Sequence, residues 1–161
     1  MRCLVNNAIT KKEAQNILAM DRPSSKKSLK NPIPIIERLI NLAEQTSGST
    51  VDNDCEKNYW RVECKASGHD WHYDTGSRNQ MLWCGLSLSV LLTDPSEFEG
   101  GKVNFKNKDG SIESYRDNHY LNALIYSSIS NDKTNMHQVE PHSRGKREVL
   151  LIFMGLQGMA T

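Results

Sequence analysis

Two histidines and one aspartate supply residue types that could bind a metal ion. His72 and Asp74 are separated by one residue, and His137 lies far downstream. Positions i and i+2 of a β-strand point to the same face, about 6.5–7 Å apart, so one strand can direct both an imidazole and a carboxylate at one ion. Two histidines and one carboxylate are the facial ligand set of non-haem Fe(II) sites, which leaves positions open for substrate and oxygen.

Arg147 is the second chemically informative residue, because it follows His137 by ten positions. The intervening segment contains the proline, serine and glycine of a turn, and the apolar run 148–154 follows it. Paired as an antiparallel hairpin, positions 137 and 147 would lie opposite each other on one face. The planar guanidinium would then lie behind the metal and could bind the far carboxylate of a dicarboxylic cosubstrate. Alternatively, Arg147 is a rim residue paired with Glu140 or Glu148.

Several stretches of the chain together resemble the iron(II)- and 2-oxoglutarate-dependent dioxygenases, specifically their prolyl-4-hydroxylase-like branch. In that family the His-x-Asp pair is followed by a strand ending in a Leu-x-Asp-like turn, a Gly-Gly hairpin, and a distal histidine with a basic residue beyond it. The same order occurs here over three fifths of the chain. The matching stretches are Trp71–Asp74, Leu86–Asp94, Phe98–Phe105, His137–Pro141 and Gly145–Arg147.

The resemblance implies a ligand set and a reaction. Fe(II) would be bound by His72, Asp74 and His137, and 2-oxoglutarate would place its distal carboxylate on Arg147. With O2, the cosubstrate would be decarboxylated to succinate and CO2 while an unactivated C–H bond is hydroxylated. The resemblance also admits ascorbate as an additional cofactor. The protein itself would contribute geometry, a dry pocket and substrate placement.

The spacing between His137 and Arg147 resembles that of prolyl-hydroxylase-like enzymes, which favours a prolyl or other amino-acid side chain, peptidyl or free, as substrate. Two alternatives stay open. A nucleobase oxidative demethylase would show a basic rim with stacking aromatic side chains, which the net charge of +1 disfavours. A non-catalytic cupin-like metal-binding domain would not need Arg147.

Other polar residues have simpler interpretations. His69, His119 and His142 are expected to be solvated or hydrogen-bonded surface histidines, although His142 competes weakly for the role of distal ligand. Arg78 and Asn79 follow the His-x-Asp strand and could contact substrate, but solvated loop residues are the simpler interpretation.

The cysteines place one limit on the resemblance. Cys64 stands where many relatives have a tyrosine that contacts the cosubstrate, so the second 2-oxoglutarate contact is unassigned. The four cysteines lack Cys-x-x-Cys spacing, which argues against structural zinc. In a reducing compartment we expect them to be free thiols, mostly buried.

Helical patterns are confined to the N-terminal part. Thr10 and Glu13 have capping-box spacing before a short helix, and prolines introduce a second helix whose apolar residues form one face. The polar segment 21–31 between them is expected to be a linker, and the first 30 residues to pack loosely. The expected division is residues 1–31 as N-terminal helix and linker, and residues 32–161 as a barrel domain with a supporting helix.

From residue 58 onward the pattern indicates about eight short antiparallel strands. Together with the helices they predict a mainly β fold with flanking N-terminal helices, a double-stranded β-helix or jelly-roll, cupin-like barrel with a ligand in its mouth. The expected strands are Tyr59–Lys65, the His-x-Asp strand, Cys84–Leu92, Lys102–Phe105, Ile112–Arg116, Ala123–Ser128, Met136–Glu140 and Glu148–Met154.

Length and composition agree with this interpretation without requiring it. The chain of 161 residues is long enough to bury a core. Its balanced charge argues against a broad nucleic-acid-binding surface. No run approaches the roughly 18 apolar residues of a membrane helix, and no signal-peptide pattern is evident. We therefore expect a cytoplasmic protein without membrane association.

Overall fold

The computed structural model describes residues 1–75, 81–128 and 134–159. Within these ranges the helices are α1 Lys11–Leu18 and α2 Pro34–Ser47. The strands, in chain order, are β1 Arg2–Val5, β2 Lys27–Ser28, β3 Tyr59–Glu63, β4 His69–His72, β5 Leu86–Leu91, β6 Glu99–Gly100, β7 Val103–Lys106, β8 Ile112–Tyr115, β9 Ala123–Ser127, β10 Met136–Val139, β11 His142–Ser143 and β12 Val149–Met154.

These strands form antiparallel sheets. The larger sheet has the order β1-β9-β5-β12-β3-β2, and the smaller has the order β4-β10-β7-β8. A short pair, β11 with β6, adds to them. The mainly β architecture and the expected strands are confirmed, with most ends correct to within two residues. The exception is the strand expected to contain both His72 and Asp74. Strand β4 ends at His72, so Asp74 lies in the segment that follows it.

The central strands of the large sheet are buried on both faces. All six residues of β5 are buried, and their Leu-Ser-Leu-Ser alternation assigns the faces. Leu86, Leu88 and Val90 join the core beneath the helices. Ser87 and Ser89 therefore point the other way, toward the smaller sheet, because successive side chains alternate. A buried strand with serines on one face implies polar partners inside the barrel.

The helices cover the outer face of the large sheet. At the start of α1, Thr10 Oγ1 accepts from the Glu13 backbone N–H at 3.1 Å, and the Glu13 carboxylate accepts from the Thr10 N–H at 2.9 Å, which confirms the capping box. Pro34 is in the first turn of α2, and Gly48 ends it with φ of 72°, a left-handed conformation that glycine adopts freely. No helix of the described ranges is long and apolar enough to cross a membrane.

The N-terminal residues are integrated into the barrel. Strand β1 pairs with β9 along its whole length, and Ile9 and Ile17 are buried in the core. The Arg2 guanidinium donates to the Asn107 side chain at 2.7 Å and to the Thr134 carbonyl at 2.9 Å. The expected loose packing is therefore wrong for the stretch that β1 and α1 span, because its apolar residues complete the core. The division at residue 31 stays a prediction.

The hairpin expected between His137 and Arg147 is wrong. Strand β10 pairs with β4 and β7, whereas β12 pairs with β3 and β5, so the two residues approach the interior from opposite sheets. The connecting segment instead forms β11, which pairs with β6. The apolar run Val149–Met154 is almost wholly buried, and a central position in the large sheet covers both of its faces.

Candidate metal centre and its cavity

His72, Asp74 and His137 come together where β4 and β10 pair. His72 lies directly opposite His137 in the register. One ligand atom from each of the three residues lies within 4.8 Å of the others. Asp74 Oδ1 is 3.5 Å from His72 Nε2 and 3.3 Å from His137 Nε2. Among the described residues no other histidine, cysteine or carboxylate cluster has this geometry.

Both histidines are oriented by backbone carbonyl groups. His72 Nδ1 donates to the Asp70 carbonyl at 2.7 Å, and His137 Nδ1 donates to the Asn135 carbonyl at 2.9 Å. A proton on Nδ1 leaves the Nε2 lone pair of each neutral ring directed at the space beside Asp74. Such a second hydrogen bond fixes the tautomer and the ring orientation that a metal ion requires.

Asp74 is held equally firmly. Its Oδ2 accepts from the Ser87 hydroxyl at 2.8 Å and from the Tyr126 hydroxyl at 2.6 Å, which leaves Oδ1 toward the histidines. Burial alone would raise the pKa of Asp74, but His137, His72 and Tyr126 outweigh it and hold the pKa well below its usual range. Burial and the Asp74 charge raise the pKa of Tyr126, so that hydroxyl stays a donor.

Aromatic rings fill the barrel behind the distal histidine. The Phe105 ring stacks on His137 with centroids 4.8 Å apart, and Tyr126 meets the same imidazole edge-on at 5.3 Å. The Arg2 guanidinium covers the Phe105 ring at 4.8 Å. The His137 ring is therefore confined on several sides before any ligand binds.

The triad opens into a cavity of about 440 Å³ between the two sheets. Arg147, just before β12, lines the same cavity. Within the described ranges its guanidinium makes no ion pair or hydrogen bond, so the alternative pairing with Glu140 or Glu148 is not observed. Burial lowers the pKa of Arg147 to about 10, against the attraction of the Glu63 carboxylate that lines the same cavity, and the group stays cationic at neutral pH. A buried cation is costly unless an anion pairs with it, which makes the cavity suited to an anionic ligand.

The lack of a side chain at Gly101 leaves room for the side chain of Arg147. Gly101 has φ of 74°, and a Cβ there would lie 2.6 Å from Arg147 Cδ. The Gly-Gly turn noted in the sequence thus provides the left-handed backbone and the space for the arginine stem.

The donor set fits a divalent first-row metal ion. It offers two neutral imidazole nitrogens and one carboxylate oxygen, with the cavity on the open side, as in facial-triad iron sites. The cationic Arg147 in the same cavity fits a ligand that combines a metal-binding end with a distal carboxylate.

Two of the three remaining histidines are not at the surface. His119 is 1% exposed; its Nε2 donates to the Ser89 carbonyl at 3.0 Å, and burial, with the Arg147 charge, lowers its pKa to about 3. His142 is also buried, and its Nε2 accepts from the Arg147 backbone N–H. The expectation of a surface position is wrong for both, because hydrogen bonds to Ser89 and Arg147 hold their rings within the fold. His69 is half-buried and bonded to Glu63.

The sequence did not predict the two hydroxyl groups that bind Asp74. Ser87 and Tyr126 were not among the predicted site residues, although the Leu-Ser-Leu-Ser pattern of β5 indicates a polar barrel interior.

All four cysteines are free, as expected, but only Cys84 is buried, so their expected burial is wrong. Cys64 is exposed and provides no cavity-facing substitute for the missing tyrosine. Arg78 and Asn79 lie outside the described residues.

Comparisons with known proteins support the fold. No protein-family model and no curated protein matches the sequence. Among solved structures, a Pseudomonas putida prolyl-4-hydroxylase superposes with a TM-score of 0.71 at 12% identity, covering 99% of this chain and 88% of that one. A 2OG-Fe(II) oxygenase family oxidoreductase from Burkholderia pseudomallei gives 0.67 at 13%, covering 96% and 84%. A Trichoplax adhaerens prolyl hydroxylase, in complex with a peptide fragment of the hypoxia-inducible-factor oxygen degradation domain, gives 0.63 at 12%, covering 96% and 83%.

These likenesses cover nearly the whole chain and confirm the resemblance to the prolyl-4-hydroxylase-like branch at the level of the fold. The protein has the double-stranded β-helix of the 2-oxoglutarate- and iron-dependent oxygenases.

Proposed function

We propose that the protein is an Fe(II)- and 2-oxoglutarate-dependent dioxygenase that hydroxylates an unactivated C–H bond. One observation carries the proposal: the His72, Asp74 and His137 ligand atoms converge in the same cavity as the Arg147 guanidinium, which has no hydrogen bond or ion pair within the described ranges. A bare metal-binding cupin would need the first feature and not the second. The similar folds of known 2-oxoglutarate oxygenases support the same reaction class.

Each residue has a defined task in this proposal. His72, Asp74 and His137 would hold Fe(II), which when bound supplies the activation of O2 needed to attack a C–H bond. Arg147 would bind the distal carboxylate of 2-oxoglutarate through its planar fork. Ser87 and Tyr126 donate to Asp74 Oδ2, which favours the ionised carboxylate and directs Oδ1 toward the two histidines.

The apolar wall of the cavity would exclude water from the reacting atoms. Leu124 of β9 and Val149, Leu151 and Phe153 of β12 line it. In a water-excluded cavity the attraction between a guanidinium and a carboxylate is stronger than in solvent. The wall therefore supports cosubstrate binding as well as protection of the reaction.

For the substrate we propose a prolyl or other amino-acid side chain, peptidyl or free. The support is the fold shared with prolyl hydroxylases, including one in complex with a peptide. The net charge of +1 gives no support to the nucleobase demethylase alternative.

The test is succinate release from 2-oxoglutarate with added Fe(II), alone and with proline peptides, free amino acids or methylated oligonucleotides. We expect release that depends on both Fe(II) and 2-oxoglutarate and is stimulated by an amino-acid or peptide substrate. Stimulation by the oligonucleotide alone, with a steep loss at moderate salt, would favour the demethylase. Metal binding without any 2-oxoglutarate turnover would contradict the proposed reaction.

A further inference from the structure

A second cavity adjoins the first beside β2 and the start of β3. Its volume is about 460 Å³, and Tyr59 and Met81 line both cavities. The two cavities therefore meet at Tyr59 and Met81. A substrate longer than a single side chain could extend from one cavity into the other.

The second cavity carries positive charge. Lys26, Lys27 and Lys57 line it; Lys26 Nζ is 4.7 Å from the Tyr59 ring centroid, whereas Lys27 Nζ already donates to the Arg22 and Ser25 carbonyls. Glu56 also lines it, but its carboxylate is 3.5 Å from Lys30 Nζ and is thus already paired. In the described part of the chain, none of the three lining lysines has a carboxylate within ion-pair distance.

Apolar side chains complete the lining. The Tyr59 and Trp83 rings pack with centroids 6.1 Å apart. Beside them Leu82 is 63% exposed, the most exposed of the large hydrophobic side chains that the structure describes. A groove with both aromatic and cationic sides suits a ligand that presents apolar and acidic groups together.

The groove also borders a sheet edge. Strand β2 is outermost in the large sheet and pairs only with β3 in the described ranges. An extended polypeptide can add to a sheet edge through main-chain hydrogen bonds, here over the two residues that β2 spans. The sheet edge favours a polypeptide over a nucleic acid, because a nucleic acid lacks the N–H and C=O groups that pair with a strand.

We propose that this groove binds an extended, acidic polypeptide segment and delivers a neighbouring side chain of that segment to the metal centre. The inference rests on the proposed function for its second half only, since binding by the groove does not depend on turnover. It narrows the substrate class from any amino-acid side chain to a residue flanked by aspartate or glutamate.

The test compares two double variants of the full chain. Lys26→Glu/Lys57→Glu reverses two charges in the groove, and Lys12→Glu/Lys108→Glu reverses two exposed charges that line neither cavity. Fluorescence anisotropy measures binding of three probes: a proline peptide flanked by glutamates, the same peptide flanked by lysines, and single-stranded oligothymidylate. Succinate release without peptide is measured in parallel.

The wild type should prefer the glutamate peptide over the lysine peptide by roughly tenfold, and the groove variant should lose or invert this preference. The control variant should keep both this preference and the wild-type rate of succinate release without peptide. Equal binding of the two peptides, no binding of either, or stronger binding of oligothymidylate would overturn the proposal. Absence of succinate release in every form, with the peptide preference intact, would instead contradict the proposed reaction and leave the groove assignment standing.

Discussion

The two ends of the cavity between the sheets differ in whether their polar groups have hydrogen-bond partners within the protein. At the triad end, both histidine Nδ1 atoms and Asp74 Oδ2 already have protein partners, so only the atoms that face the centre remain open. At the other end, the Arg147 guanidinium has no such partner in the described ranges. The polar groups at the triad end are thus oriented by the protein itself, whereas Arg147 at the other end is left to bind a ligand.

This difference has a physical basis. A metal ion requires ligands held to within a few tenths of an ångström, so its histidines and carboxylate need fixed orientations in advance. A cosubstrate that must enter and leave in each cycle is better served by a cation whose charge is neutralised only when the ligand is present. The following predictions test this division, beginning with the largest effect.

Removing a ligand at the triad end should abolish function. His72→Ala, Asp74→Ala and His137→Ala should each eliminate Fe(II)-dependent 2-oxoglutarate turnover, while far-ultraviolet circular dichroism stays that of the wild type. Each change deletes one of three ligands, whereas the sheets hold the fold. Near-normal turnover in His137→Ala, together with loss in His142→Ala, would show that the distal ligand has been assigned to the wrong histidine.

Weakening the support of Asp74 should have a smaller effect. Tyr126→Phe removes the hydroxyl that donates to Asp74 Oδ2 and keeps the ring. Loss of such a supporting hydrogen bond typically costs about 10–100-fold in metal affinity or activity. Metal titration followed by intrinsic fluorescence measures it. Tyr120→Phe, outside the cavity, is the matched control; an equal effect in both variants would remove the special role of Tyr126.

At the open end, Arg147 should affect the cosubstrate and not the metal. A charge-assisted contact contributes about 1.5–3 kcal/mol, so Arg147→Lys should raise the Michaelis constant for 2-oxoglutarate by about tenfold and Arg147→Ala by more. Fe(II) affinity without cosubstrate should change little. Arg144→Ala is the control, because Arg144 is exposed and pairs with Glu99. An unchanged constant in Arg147→Ala would refute the anion-binding role.

The smallest effect is expected far from the cavity, at the start of α1. Hydrogen bonds from Arg38 and from the Thr10 backbone lower the pKa of Glu13 from 4.5 to about 2. A carboxylate with a lowered pKa stabilises the fold above its unfolded pKa and loses this contribution as pH falls through the folded value. The stability difference between wild type and Glu13→Gln should therefore shrink from pH 5 toward pH 2, as measured by urea unfolding. A constant difference would mean that the charge of Glu13 is not involved.

The sequence predicted that four side chains meet better than it predicted the strands that bring them together. His72, Asp74, His137 and Arg147 were singled out by residue type and spacing, and all four line one cavity. Their roles as ligands and anion-binding group stay a prediction. The hairpin used to place Arg147 was wrong, because parity along a strand does not show which strands pair. His119 and His142 were misplaced for a related reason: a lone histidine carries no pattern that distinguishes a buried position from an exposed one.

Local sequence patterns determined the features of this protein that depend only on residues close together in the chain. The capping box determined the start of α1, the alternation in Leu86–Leu91 determined which serines face inward, and the His-x-Asp pattern placed two candidate ligands close together. Only the tertiary structure decided that β10 and β12 lie in opposite sheets, that Tyr126 and Ser87 meet Asp74, and that Arg2 covers Phe105. Those contacts join residues distant in the chain, and sheet packing, which no local pattern records, brings them together.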